Sequence, residues 1–143
     1  MILNRPKIFD EDNEETKLEI ISQFPEEIVN LSKPSIKLQK AAIKLDPNLI
    51  KFIKNPTDEI IEFAINQDGC VIQYFKNPSK TLRRLAIEQN PFAVRYLKHL
   101  TEHEIKRAIY GFMEFTSDPN ELDQILSDEL PSFKSIKRMK KVA

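Results

Sequence analysis

Two histidines, one cysteine and an evenly spaced set of cations are the side chains of this sequence with chemistry to offer. His99 and His103 are four residues apart, a spacing that on a single helix brings two imidazoles towards one metal ion. Thr101 stands between them as a helix cap, however, and Glu104 completes a capping box, so His99 falls ahead of the helix and the pair need not share a face. No metal site is expected. Cys70 would need an orienting base to serve as a nucleophile. It falls beside Val71 at a helix start, where a small half-buried residue is expected. Only 2 glycines occur against 9 prolines, so glycine-rich phosphate loops and dinucleotide fingerprints are absent. No catalytic residue and no cofactor is expected, and the chain reads as a non-enzyme.

The cations are more regular. Lys54, Lys76 and Lys98 stand 22 residues apart, and Lys51 and Arg95 hold a second register with Gln73 between them. Stacked units would align these columns into a basic ridge, widened by Arg83 and Arg84, for phosphates or the acidic face of a partner. The plainer reading is that lysine in the last turn of a short helix complements that helix's C-terminal dipole. Lys134, Lys137, Arg138, Lys140 and Lys141 make the C-terminal segment basic, opposite an acidic stretch from Asp10 to Glu15. Helix-dipole matching accounts for that asymmetry too. Phe133 is the only aromatic near the tail, which suits backbone-type binding of nucleic acid better than base readout. The apolar face of Phe133, Ile136 and Met139 is small for a membrane-surface helix.

The elements that must position these residues are repeats. In rows of 22, Ala42-Ile43, Ala64-Ile65, Ala86-Ile87 and Ala108-Ile109 align, with Ile20-Ile21 one period earlier. Asp46-Pro47, Asp68-Gly69 and Asn90-Pro91 coincide, as do Lys33-Pro34-Ser35, Asn55-Pro56-Thr57 and Asn77-Pro78-Ser79, with His99-Leu100-Thr101 in the last slot. Such self-similarity marks supersecondary units that bury their apolar faces against their neighbours. Each unit predicts two helices. The proline keeps its predecessor out of helical geometry, and the hydroxyl residue after it caps a first helix whose inward stripe is Ile60, Ile61, Ala64 and Ile65. Leu82, Leu85, Ala86 and Ile87 mostly repeat that stripe. Asp46 and Asn90 then cap a short second helix with proline at its first position, whereas Gly69 is expected to stop the preceding helix in a left-handed conformation. Tyr74 and Tyr96 read as core residues with a wet hydroxyl.

The stretch "AINQDGCVIQYFKNPSKTLRRLAIEQNPFAVRYLKHL" resembles a short bacterial and viral helical repeat of unknown function whose units read approximately AVKQNGxALxYA. Ala64, Ile65, Gln67, Asp68, Gly69, Ile72 and Tyr74 carry the resemblance, followed by Ala86, Ile87, Gln89, Asn90, Val94 and Tyr96. It covers about residues 40 to 110 and departs where Pro47 and Pro91 replace the usual glycine. The resemblance implies an all-α fold and an origin in a phage or mobile element, and says little about chemistry.

Composition bounds the rest. With 41% hydrophobic and 31% charged residues the chain is rich enough in apolar side chains for a packed core. Its 22 basic and 22 acidic side chains cancel, so attraction to nucleic acid must be local. The lone cysteine suits a reducing compartment, and no signal-like or membrane-spanning apolar run is present, which points to the cytoplasm. The expected fold is a short α-solenoid of about four 22-residue helix-turn-helix repeats with flanking terminal helices. One domain is expected over 1–143: an acidic segment at 1–19, repeats at 20–115 and C-terminal helices with the basic tail at 116–143. The expected function is protein–protein interaction, with a phage-encoded modulator of a host protein as its specific form. The alternative is nucleic-acid association through the tail and lysine columns. Partner identity and oligomeric state are left open.

Overall fold

A computed structural model of the chain describes residues 5–131. Among these every regular element is helical. Five α-helices begin 22 residues apart: α1 (Glu14–Gln23), α2 (Ile36–Leu45), α3 (Asp58–Gln67), α4 (Lys80–Gln89) and α5 (Glu102–Phe115). After each of the first four comes a six-residue 3-10 helix on the same period: η1 (Pro25–Asn30), η2 (Pro47–Phe52), η3 (Gly69–Tyr74) and η4 (Pro91–Tyr96). A final helix, α6 (Pro119–Glu129), follows α5. The repeat therefore starts earlier than the alanine register suggests. Its first copy, with Asn13 as cap, already has both helices.

The caps explain this regularity. Ser35, Ser79 and Thr101 accept hydrogen bonds from the backbone N–H groups of Leu38, Leu82 and Glu104 at 3.2, 3.3 and 3.2 Å. Thr57 receives a longer one, 3.4 Å, from Ile60. Each satisfies a donor that a helix N-terminus leaves orphaned. A second set sits at the junction of the two helices, where Asp46, Asp68 and Asn90 accept from the N–H two residues on at 3.0, 2.9 and 3.0 Å. This tight turn feeds a backbone bonded i to i+3, as in Leu49 to Asp46 and Val71 to Asp68. The second helix is thus two turns of 3-10 geometry, stable only by leaning on its neighbours.

Gly69 contradicts the expected left-handed stop, because no glycine has a positive φ. It occupies the first position of η3, where the other repeats have Pro47 and Pro91. Glycine is required there by crowding: a Cβ would fall well inside contact distance of the Ala86 carbonyl oxygen. The left-handed residues are instead Asn55 and His99, at φ 48° and 51°, in the turns ahead of α3 and α5.

By contact the chain divides into two compact units, one ending at Gln67 and the other beginning at Asp68. In the first, Ile20, Ile21, Ile28, Leu38, Ala42 and Leu49 form one buried cluster. In the second, Ile87, Val94, Ala108, Phe112, Leu126 and Leu130 do so, with α6 closing it. Ala42 and Ala64 in the first unit and Ala86 and Ala108 in the second are fully buried, the small side chain allowing α2 and α3, and likewise α4 and α5, to pack closely. Beside them Ile43, Ile65 and Ile87 carry the apolar burial, each worth about 1.5–3 kcal/mol relative to exposure. Helix α5 runs on past the usual stop because Phe112 replaces the Asx cap. That ring is buried against Phe92 in an edge-to-face pair, centroids 5.0 Å apart. Helix α6, the first of the C-terminal helices expected over 116–143, runs to Glu129 and is capped by Asp118 with Pro119 at its first position.

Candidate functional site

Each 3-10 helix ends in a bend that returns the chain to the next cap, and these bends carry the periodic lysines. Lys54, Lys76 and Lys98 are all exposed on them. In the first unit, Lys54 lies on a groove of about 390 Å³ shared with Lys33, Asn30, Gln39 and Phe52. In the second, Lys76 and Lys98 line a groove of about 630 Å³ with Arg83, Tyr96 and His99. The grooves are the same place in the repeat. Both lie where the bends after consecutive 3-10 helices come together, floored by the fourth residue of the α-helix between them, Gln39 in one case and Arg83 in the other. Neither lining includes a carboxylate. Each has an aromatic at the same position, Phe52 and Tyr96, which are 53% and 39% exposed. Tyr96 is therefore a surface residue and not the core residue its spacing suggests.

Two of the expected binding cations are committed elsewhere. Arg83 donates to Glu104 through Nε at 2.6 Å and Nη2 at 2.8 Å, and from Nη2 to the Lys98 carbonyl at 3.1 Å. The carboxylate partner raises the Arg83 pKa, and the guanidinium in turn holds Glu104 below its ordinary value. Glu104 also accepts from the Thr101 N–H at 2.9 Å, completing the capping box read in the sequence. Arg95 makes a fork to both Glu129 oxygens and lies 5.4 Å from the Phe92 ring centroid. Arg83 and Arg95 thus join elements of the second unit and do not extend the ridge. Lys51 is exposed with its ammonium 5.0 Å from the Phe52 ring centroid, and Arg84 is exposed on α4. Lys134, Lys137, Arg138, Lys140 and Lys141, and with them the basic tail of the segment expected over 116–143, lie outside the described residues.

Some of the site is not announced by the lysine columns. Lys33 belongs to the turn register of Asn55, Asn77 and His99, and its place beside Lys54 becomes visible only when consecutive bends are brought together. Gln39 shares its repeat position with Arg83, the one signal that could have marked it. Its Nε2 donates to the Pro34 carbonyl at 2.8 Å, while its Oε1 is buried and accepts no hydrogen bond among the described residues. Cys70 is half-buried, and burial first, then the Asp68 carboxylate, push its thiol up, away from the reactive thiolate. His103 Nε2 faces the Arg107 guanidinium at 3.1 Å. Among the described residues no helix is long and apolar enough to cross a membrane.

These features define an all-α protein of repeated α/3-10 helix pairs with cation-lined grooves at the ends of its repeats. No protein-family model, no curated protein and no solved structure matches the chain.

Proposed function

We propose that the chain is a non-enzymatic protein-interaction module that engages a partner protein at the lysine-bearing bends of its repeats. The observation that carries this reading is the recurrence, once in each unit, of a groove that combines exposed lysines with an accessible aromatic and has no carboxylate on its lining. Accessible aromatics are enriched at protein-binding surfaces, whose polar and charged groups lie at the rim. The raised Cys70 thiol and the structural engagement of Arg83 and Arg95 support a chain built for binding and not for reaction. The resemblance of its repeats to bacterial and viral helical repeats supports a phage or mobile-element protein acting on a host protein, and the lone cysteine supports a cytoplasmic site of action. Capture of the tagged full chain from its native host after nuclease treatment tests the reading. One stoichiometric protein supports it. Recovery of nuclease-sensitive material alone would move the function to nucleic acid.

A further inference from the structure

The groove of the first unit holds a polar mismatch that the groove of the second does not. In the second unit the fourth residue of the α-helix is Arg83, and its donors are used by Glu104 and the Lys98 carbonyl. In the first it is Gln39, a lining residue of the groove whose Oε1 is buried and accepts no hydrogen bond among the described residues. A buried acceptor without a donor is costly, so the site is poised for a ligand that brings an N–H. Around this acceptor stand two exposed lysines, Lys33 and Lys54. The other polar groups of the wall are already engaged. Asn30 donates to Glu27 at 2.8 Å, and Ser32 gives both its N–H and its hydroxyl to Asp10, whose carboxyl those bonds lower. The groove shares Val29, Asn30 and Phe52 with a second depression that adds Phe9 and Lys7, and also Glu26 and Glu27, both of which are paired with Arg5. Phe9, Val29 and Phe52 are all about half exposed there.

We infer that this groove binds an extended acidic–apolar peptide segment of the partner protein, with a backbone N–H of the segment donating to Gln39 Oε1, a carboxylate meeting Lys33 and Lys54, and a large apolar side chain lying on Phe9, Val29 and Phe52. The inference rests on the protein-interaction reading and gives it a ligand class. Gln39 favours a peptide over backbone-type binding of DNA: a deoxyribose-phosphate backbone offers acceptors to the two lysines but no donor to a buried carbonyl oxygen, whereas every peptide unit except proline offers one. Around Gln39 the lining carries two lysines and no carboxylate, which favours an acidic group of the ligand there, while the adjoining depression takes its apolar side chain.

The probe is a displayed library of random dodecapeptides panned on the immobilised full chain. Lys33→Glu/Lys54→Glu, Gln39→Leu and Lys76→Glu/Lys98→Glu are assayed in parallel, with folding of each checked by circular dichroism. Enriched peptides are expected to pair Asp or Glu with Phe or Leu. They should bind at least tenfold more weakly to Lys33→Glu/Lys54→Glu, several-fold more weakly to Gln39→Leu, and unchanged to Lys76→Glu/Lys98→Glu. Peptides that bind the first variant as well as they bind the native chain overturn the inference. If those same peptides are lost on the Lys76→Glu/Lys98→Glu chain, the groove assignment fails while the interaction reading stands. No enriched peptide, with tight binding of a single-stranded oligonucleotide instead, overturns both.

Discussion

Glu104 shows how a single residue can be legible in one role and opaque in another. Its part in the capping box follows from Thr101 three residues before it, a local rule. Its bond to Arg83, 21 residues away, is set by the packing of α5 on α4 and has no local signature. Arg83 and Arg95 consequently look like surface cations in the sequence and prove to be structural. The Arg83 guanidinium keeps the Glu104 carboxyl depressed in the folded chain. A group so depressed contributes stability that is present above its unfolded value, about 4.3, and is lost as pH falls through the folded value. Glu104→Gln is therefore expected to lower unfolding stability by about 1–2 kcal/mol at neutral pH, since solvent partly screens the pair. That difference should shrink below pH 4. Urea denaturation of both chains at pH 7 and pH 3 measures it, and an equal difference at the two pH values would show that the pair does not depend on the carboxylate charge.

At the level of elements, the 22-residue period, the hydroxyl caps and the Ala-Ile column were readable because each depends on neighbours in sequence. The geometry of the second helix was only partly so. Asx caps and proline predicted its start in η2 to η4, but η1 winds the same way behind Phe24 with no side-chain cap, so the 3-10 geometry comes from packing on neighbouring elements and not from the Asx residue. Gly69 was misread for the same reason, since its crowding comes from Ala86, 17 residues on. The two interior glycines make contrasting predictions. At Gly69 an added Cβ meets backbone, the Ala86 carbonyl, while the Gln89 side chain accepts the Gly69 N–H at 2.5 Å. At Gly111 it meets a side chain, the ring of Pro91 at 2.9 Å. Both Gly69→Ala and Gly111→Ala are expected to cost about 1–3 kcal/mol through overpacking. Pro91→Gly should recover part of the Gly111→Ala loss, a coupling of about 1 kcal/mol in a double-mutant cycle. Gln89→Gly should not recover Gly69→Ala. Additive behaviour at 91 and 111 would mean that those residues do not compete for the same space.

For the molecule as a whole, the sequence establishes an all-α repeat but not the division at Gln67 and Asp68, because the repeat pattern runs through that point without a change in composition. The grooves were half visible. Period alone found Lys54, Lys76 and Lys98, whereas Lys33, Gln39 and Phe9 enter the site only through the fold. The repeat core itself is tested at Ile65, which is fully buried. Ile65→Asp places an unpaired charge there and is expected to cost several kcal/mol, roughly the scale of the largest single-residue effects. Thermal melts followed by circular dichroism would detect it, and an unchanged midpoint would remove Ile65 from the core. The central claim is that a partner protein binds at the lysine-lined bends. Its most direct test is nuclease-treated capture from the native host with two baits side by side, the native chain and one carrying Lys33→Glu, Lys54→Glu, Lys76→Glu and Lys98→Glu. The account predicts one stoichiometric protein on the native bait and its loss, by at least tenfold, on the reversed one. Equal recovery of that protein on both baits would contradict it.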